Sequence, residues 1–205
     1  MFLLGIYPEY SSIMKKLYSL IFLVSLCNAL LAQRYIIDPS HTAVTSKVLR
    51  FGVVKVVGRF NTVSGTVNYN VSSPAATTAD ITVKVDSYSA NNPDGENAVK
   101  SPAWLDANSF PEMKMVVKSL TVNGKQFTAS ATLTIHGVTK AISIPVTING
   151  PLMDLPTQKQ SIGIAGMFTI KRSDYGMAPP RKLPSGVDLI GDEVEIEINA
   201  LALAE

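Results

Sequence analysis

The sequence predicts an all-β domain, and two observations support that prediction. Apolar and polar residues alternate through most of the chain, as in 79–86, 127–135 and 193–198. Alternation with a period of two is typical of antiparallel strands that bury one face and expose the other. Turn-forming residues, among them Asn123-Gly124 and Asn149-Gly150-Pro151, separate the alternating stretches. A length of 205 residues suits one large β domain.

The N-terminal segment differs in kind from the rest of the chain. Met14-Lys15-Lys16 precedes the apolar run 17–26, and the segment ends at Ala32. A short cationic stretch, an apolar run and a small residue are typical of a cleaved secretory signal. The run is shorter than the roughly 20 residues of a membrane-spanning helix. We predict a signal peptide over 1–32, with an over-extended start at 1–13, and a periplasmic or secreted protein without a permanent membrane span.

Cysteine usage and charge exclude several classes of function. Cys27 is the only cysteine and lies within the predicted signal. A bulky Leu26 stands directly before it, so we favour a plain signal residue over the acceptor of a lipid anchor. The mature chain would then have no disulfide and no thiol chemistry. Removing 1–32 takes away two basic residues and one acidic residue, which lowers the net charge from +2 to +1. A nearly neutral chain lacks the basic face that nucleic acids require.

Strand segments are predicted from the alternation and from the turns between them. Asn123-Gly124 marks one tight hairpin, His136-Gly137-Val138-Thr139 marks a second, and Asn149-Gly150-Pro151 is predicted to close the following strand. Some of the early segments are interpreted as one bent strand. The predicted segments lie near 34–38, 42–51, 54–60, 65–71, 79–88, 113–122, 125–135, 139–148, 161–172 and 187–203.

Two stretches interrupt the strand pattern. A short helical segment is predicted near 94–108, with Asp94 as its N-cap. Residues 173–186 are rich in Gly and Pro and are predicted to form an irregular loop. Because no repeat or long linker divides the chain, we predict a single domain over 33–205. Nine or ten short strands fit either a sandwich or a closed barrel, and the alternation does not separate the two.

Several segments together resemble the YceI-like family of periplasmic proteins. The most specific is Leu133-Thr134-Ile135-His136-Gly137-Val138-Thr139-Lys140, which is nearly the signature hairpin of that family. Residues 170–177 resemble its Arg-Ser-Asp-Tyr/Phe-Gly segment. Residues 35–44, 57–61 and 191–196 are similar to its first strand, its Gly-x-Phe strand and its closing strand. The likeness extends over almost the whole chain after the predicted signal.

The resemblance implies an elongated antiparallel lipocalin-like β-barrel of about eight strands, with the short helical segment near 94–108. It also implies an apolar tunnel that holds an isoprenoid-like lipid, such as a polyprenyl lipid or a quinone tail. Phe110 and the pair Trp104-Leu105 are interpreted as a plug or gate at one barrel end. The residues expected to line the lumen or form the gate are Val83, Val85, Trp104, Leu105, Phe110, Phe127, Leu133 and Ile135.

No catalytic or metal-binding motif stands out. His41 and His136 are the only histidines, and both are interpreted as turn or hydrogen-bonding residues, not metal ligands. No Gly-x-Ser-x-Gly elbow is present, and the glutamates of 193–197 fall on the predicted wet face of their strand. Arg172 and Asp174 are interpreted as fixing the neighbouring loop, in preference to facing a ligand head group.

Three hypotheses about function follow, in decreasing order of support. The first is an exported, non-enzymatic protein that binds an isoprenoid-like lipid and needs no cofactor. The second is a structural or stress-related envelope protein whose barrel is filled by its own side chains. The third is a lipid-acting hydrolase or isomerase, which is weakest because the sequence shows no pairing of a nucleophile with a base.

Overall fold

The computed structural model describes residues 32–124 and 126–205, and the chain from Gln33 to Glu205 forms one compact unit. The predicted signal, including Cys27, lies outside the described residues apart from Ala32. Short 3₁₀ turns occur at Pro74–Ala76, Val85–Ser87 and Arg172–Tyr175. The regular elements are β1 (Gln33–Arg50), β2 (Val54–Phe60), β3 (Val63–Tyr69), β4 (Thr78–Lys84), β5 (Tyr88–Ser89), α1 (Pro93–Lys100), β6 (Glu112–Asn123), β7 (Gln126–Ile135), β8 (Val138–Asp154), β9 (Lys159–Lys171) and β10 (Ile190–Ala204).

The strands form a closed antiparallel barrel. Each of β6 to β9 pairs with the strand that follows it in sequence, β4 pairs with both β3 and β6, and β10 closes the barrel by pairing with β1. β2 and β3 both lie along β1, and β5 continues β4 along β2, so ten strands occupy eight positions around the barrel. This confirms the predicted barrel of about eight strands and excludes the sandwich. Closure also removes exposed sheet edges.

β1 is one bent strand that joins the predicted segments near 34–38 and 42–51, in agreement with the interpretation of some early segments as a single bent strand. Its pairing with β10 shifts register between Asp38 and Ala43. At this bulge the Asp38 carboxylate accepts a hydrogen bond from the backbone N–H of Ser40 at 2.9 Å. The Thr42 hydroxyl donates to the Asp38 carbonyl at 2.7 Å. Local side-chain bonds therefore replace the interrupted ladder, and the chain bends without ending the strand.

The prediction that Asn149-Gly150-Pro151 closes a strand was wrong. β8 continues to Asp154, with a register shift between Asn149 and Leu152, and Leu152 pairs with Ser161 of β9. Gly150 has φ +99° and precedes a cis peptide bond to Pro151. Turn-forming residues at this position produce a bulge because the pairing resumes on its far side.

The helix is shorter than predicted, and Asp94 is not its N-cap. α1 ends at Lys100, and the chain up to Phe110 continues in turns because Pro102 cannot extend a helix. The N-cap is Asn92, whose side-chain oxygen accepts a hydrogen bond from the N–H of Gly95 at 3.4 Å. Asp94 lies in the first turn, where a carboxylate interacts favourably with the positive end of the helix.

Antiparallel connectivity places several irregular segments at the same end of the barrel. β6 begins, β7 ends, β9 ends and β10 begins at this end, which we call the helix end because α1 and the turns up to residue 110 precede β6. The loop predicted over 173–186 also lies there, but it begins with the 3₁₀ turn Arg172–Tyr175, which ends at a left-handed Gly176. The 3₁₀ turn satisfies backbone groups that a wholly irregular loop would leave unpaired.

Candidate functional site

The barrel encloses an apolar cavity of about 210 Å³. A single buried water needs roughly 10–15 Å³ of such space, so the cavity is far larger than a packing defect. Its wall comes from nearly every barrel strand and from the segment after α1. Most wall residues are Val, Ile, Leu, Met, Phe and Ala, which offer contact surface and no hydrogen bonds.

Strand alternation produces this wall. On β10 the side chains of Val194, Ile196 and Ile198 line the cavity. The intervening Glu195 and Glu197 face outward, as predicted, and both lie close to the ammonium group of a lysine on β1 at 3.3 and 2.8 Å. The period of two therefore sorts apolar residues to the lumen and charged residues to the surface.

Five of the eight residues expected at the lumen or gate line the cavity. Val83 lies on β4, and Leu133 and Ile135 lie on β7, all three facing inward and buried. Trp104 and Leu105 also line the cavity, from the turns after α1 at the helix end. Leu133 and Ile135 thus lie on the inward face of β7, and Trp104 and Leu105 lie at the helix end of the barrel.

The other three expected residues lie outside the cavity wall. Val85 begins a 3₁₀ turn after β4, so it leaves the strand alternation and packs in the core at 1% exposure. Phe127 packs in a second apolar cluster, which it shares with Leu120 of β6. Phe110 stacks edge-on against His136, with ring centroids 4.9 Å apart. These three residues are packing residues near the barrel ends.

The segment after α1 is held in place by specific polar contacts. The Glu96 carboxylate accepts a hydrogen bond from the backbone N–H of Ala90 at 2.8 Å, which ties α1 to the end of β5. That bond is the main cause of the lowered pKa of Glu96. The N–H of Leu105 donates to the carbonyl of Val99 at 3.0 Å, which fixes Trp104 and Leu105 beneath the helix. These two hydrogen bonds hold α1 and the following turn at the helix end of the barrel.

Arg172 combines a structural role with a place in the cavity wall. Its Nε donates to the Gly191 carbonyl at 2.9 Å and its Nη2 to the Ile190 carbonyl at 3.1 Å, so it does fix the neighbouring chain. It does not pair with Asp174, which lies 3.9 Å from Lys140. Arg172 is 2% exposed, and it also lines the cavity. Burial lowers the pKa of Arg172, while the Asp192 and Asp188 carboxylates raise it.

Unpartnered polar atoms occur at the cavity wall. Among the described residues, the buried side-chain atoms without a hydrogen-bond partner are Thr45 Oγ1, Thr77 Oγ1 and Arg172 Nη1, and all three residues line the cavity. Thr77 and Arg172 lie at opposite ends of the barrel, since Thr77 precedes β4 and Arg172 follows β9. Arg172 lies in the segment 170–177 that resembles the family's Arg-Ser-Asp-Tyr/Phe-Gly motif, whereas no motif singles out Thr45 or Thr77.

The two histidines take part in local hydrogen bonds. His41 Nδ1 lies 2.6 Å from an Asp38 carboxylate oxygen, and this bond raises the pKa of His41 and lowers that of Asp38. His136 Nδ1 lies 3.2 Å from the Tyr175 carbonyl. Over residues 32–124 and 126–205, no group of three or more His, Cys, Asp or Glu is arranged to hold a metal ion. Within the same residues, no helix is long and apolar enough to cross a membrane.

Solved structures share this architecture. The crystal structure of Burkholderia cenocepacia BcnA superposes with a TM-score of 0.70 at 21% identity, covering 80% of this chain and 98% of that one. A polyisoprenoid binding domain from Saccharophagus degradans, implicated in plant cell wall breakdown, superposes with a TM-score of 0.64 at 17% identity. That alignment covers 85% of this chain and 99% of the other. At these identities the likeness establishes the fold.

Two relatives found by sequence have higher identity to this chain than these structures do. The UPF0312 protein of Pseudomonas syringae pv. tomato is 31% identical over 163 residues, which cover 78% of this chain and 84% of the relative. A UPF0312 protein of Shewanella putrefaciens is 30% identical over 149 residues, covering 71% and 78%. The family model for the YceI-like domain matches residues 35–202. With the signature hairpin in place and the barrel closed around its cavity, the chain belongs to the YceI-like family.

Proposed function

We propose that the protein is an exported carrier that holds the chain of an isoprenoid-like lipid inside its barrel, and that it acts by binding and not by catalysis. The observation that carries this proposal is the apolar cavity at the centre of the barrel. A polyprenyl chain presents only apolar surface, and each CH₂ group withdrawn from water contributes about 0.8 kcal/mol. Such a ligand needs shape and apolar contact from its site and few hydrogen bonds.

The alternative of a barrel filled by its own side chains has less support. Wall positions such as Ala79, Ala129 and Ala200 carry small side chains that leave the lumen open. A self-filled barrel of eight strands would place large side chains at these positions. The Saccharophagus degradans neighbour, described as a polyisoprenoid binding domain, has the same fold and supports the choice of an isoprenoid ligand.

Binding without catalysis is the simplest account of the polar residues near the cavity. His41 and His136 are engaged by Asp38 and by the Tyr175 carbonyl, and neither histidine lines the cavity. A hydrolase would need a nucleophile and a base within hydrogen-bonding reach of a bound substrate. Export rests on the cationic and apolar segment within 1–32.

The binding proposal is tested by extracting the purified protein with organic solvent and analysing the extract by mass spectrometry. We expect an isoprenoid-like chain in an amount approaching one per barrel. A protein that yields no lipid, and that binds no added polyprenyl compound, would contradict the proposal.

N-terminal sequencing of the protein from the cell envelope tests export, and a mature chain that begins at Gln33 is expected. A chain that keeps residues 1–32 in the cytoplasm would contradict it.

A further inference from the structure

We propose that Arg172 receives an uncharged acceptor oxygen, such as a ketone carbonyl, at the end of the chain held in the cavity. This inference rests on the proposed function and deepens it, because it names the head-group chemistry and the end of the barrel at which the head group lies. The other unpartnered polar atoms of the described cavity wall are the hydroxyls of Thr45 and Thr77, and Thr77 lies at the opposite end of the barrel from Arg172.

The first argument is the incomplete hydrogen bonding of a buried cation. Arg172 is 2% exposed, its Nε and Nη2 donate to the carbonyls of Gly191 and Ile190, and its Nη1 has no partner among the described residues. A buried polar group without a partner costs free energy, and buried charges are normally fully hydrogen-bonded. Because Arg172 lines the cavity, an acceptor oxygen on the ligand would supply the missing bond.

The second argument concerns the charge of the head group. The carboxylates of Asp192 and Asp188 act electrostatically on Arg172, so its positive charge is already partly balanced. Only one of its nitrogens is free. A phosphate carries a charge of about −1.5 to −2 near neutral pH and needs several donors to be buried. Neighbouring wall residues such as Ile170 and Met177 offer none, and the ammonium group of Lys114, which also lines the cavity, already pairs with Glu112 at 3.3 Å. A single neutral oxygen fits these conditions, whereas a phosphate does not.

Trp104 lies against the Arg172 guanidinium, and its fluorescence can report the binding of a ligand there. The Arg172 guanidinium lies over the Trp104 ring, 4.6 Å from the ring centroid. The stacking holds the guanidinium plane in place from one side. Trp104 is the only tryptophan in the chain, so intrinsic tryptophan fluorescence reports on this end of the cavity alone.

The test compares three probes with the same isoprenoid chain, followed by Trp104 fluorescence and by competition. The probes are farnesylacetone, which carries a ketone, the hydrocarbon of matched length, and farnesyl monophosphate. We expect the delipidated protein to bind the ketone about tenfold more tightly than either of the others, which corresponds to about 1.4 kcal/mol. Equal affinity for ketone and hydrocarbon, or a preference for the phosphate, would overturn the role of Arg172 and leave the carrier proposal standing. Failure of all three to bind would overturn both.

A pair of variants then assigns the preference to the residue. Arg172→Met keeps an unbranched side chain but has no donor, and we expect it to bind ketone and hydrocarbon with equal affinity. Arg181→Met makes the same change at an exposed position outside the cavity wall, and should keep the tenfold preference. A preference that persists in Arg172→Met would contradict the inference. If Arg172→Met does not fold, Thr45→Val and Thr77→Val decide the assignment, because they remove the other unpartnered hydroxyls of the wall: both should keep the preference for the ketone, and its loss in either would overturn the role of Arg172.

Discussion

Replacing Ala200 with Phe should obstruct the cavity while leaving the barrel folded. Ala200 lines the cavity from β10 and pairs with Ile164 of β9, which also lines it. A phenyl ring at this position would project into the lumen and occupy about as much space as one isoprene unit. Bound chain and introduced ring would then compete for the same volume.

The expected magnitude follows from the apolar contact that the ring displaces. If one isoprene unit of about five carbons is excluded at about 0.8 kcal/mol per carbon, binding weakens by about 4 kcal/mol, or roughly a thousandfold. A chain that bends around the ring recovers part of this loss, so tenfold is the smallest effect consistent with the reasoning. The cost of overpacking to the barrel itself stays below about 3 kcal/mol, because the cavity of about 210 Å³ gives the ring room.

The assay is a titration of delipidated protein with a polyprenyl chain, together with thermal unfolding of each variant. Asn199→Phe is the matched control, since Asn199 is the preceding residue of β10 and is exposed on the outer face. We expect Asn199→Phe to bind as the unmodified protein does. If Ala200→Phe remains folded and binds a polyprenyl chain with unchanged affinity, the cavity is not the binding site.

Two further predictions concern stability. The ion pair of His41 and Asp38 should stabilise the fold most between about pH 3.8 and 6.5, the ordinary pKa values of the two groups. The contribution is lost as the pH rises through the raised pKa of His41 or falls through the lowered pKa of Asp38. The measurement is the Tm of the unmodified protein and of His41→Ala as a function of pH. A difference in Tm between the two proteins that is the same at every pH would contradict this prediction. Gly137→Ala should destabilise the protein by about 1–3 kcal/mol in urea unfolding, because Gly137 has φ +75° and a methyl group would lie 2.6 Å from Phe110. Gly163→Ala, where a methyl group meets no atom within 4 Å, should leave stability unchanged or slightly raised, and equal losses in both variants would refute the steric argument.

The barrel could be predicted from the sequence because strand alternation is a local property. The segment 127–135 alternates without interruption, and β7 spans nearly the same residues, Gln126–Ile135. The tight hairpin predicted at Asn123-Gly124 is also present, since Asn123 of β6 pairs with Gln126 of β7. The choice of a closed barrel over a sandwich needed the family resemblance, because closure depends on β1 pairing with β10, whose residues lie 140 to 169 positions further along the chain.

The errors arose where tertiary pairing overrides local preference. Gly150 and Pro151 are turn residues by composition, yet β9 continues to pair with β8 beyond them, and the chain forms a bulge. Val85 follows the alternation of β4 in sequence but begins a 3₁₀ turn, so it packs in the core outside the cavity wall. At Gly150 the pairing with β9 decided the outcome, whereas at Val85 the chain leaves the strand in a 3₁₀ turn.

Most of the candidate site could not be predicted from sequence for a related reason. Alternation identifies an inward face, but the boundary between open lumen and packed barrel end depends on which side chains meet across the barrel. Phe127 and Leu133 share a face of β7, yet Phe127 packs against Leu120 and Leu133 lines the cavity. Arg172 was interpreted as fixing the neighbouring loop, and its place in the cavity wall, with Trp104 on one face of its guanidinium, depends on the closed barrel.

The central claim, that the barrel interior holds a lipid chain, is tested most directly by a crystal structure of the protein purified without delipidation. We predict continuous elongated density inside the barrel, in contact with Val83, Leu133 and Ile196. Its end at Arg172 should show an atom within hydrogen-bonding distance of Nη1. A lumen occupied by ordered water, or closed by side chains that fill the cavity, would contradict the account.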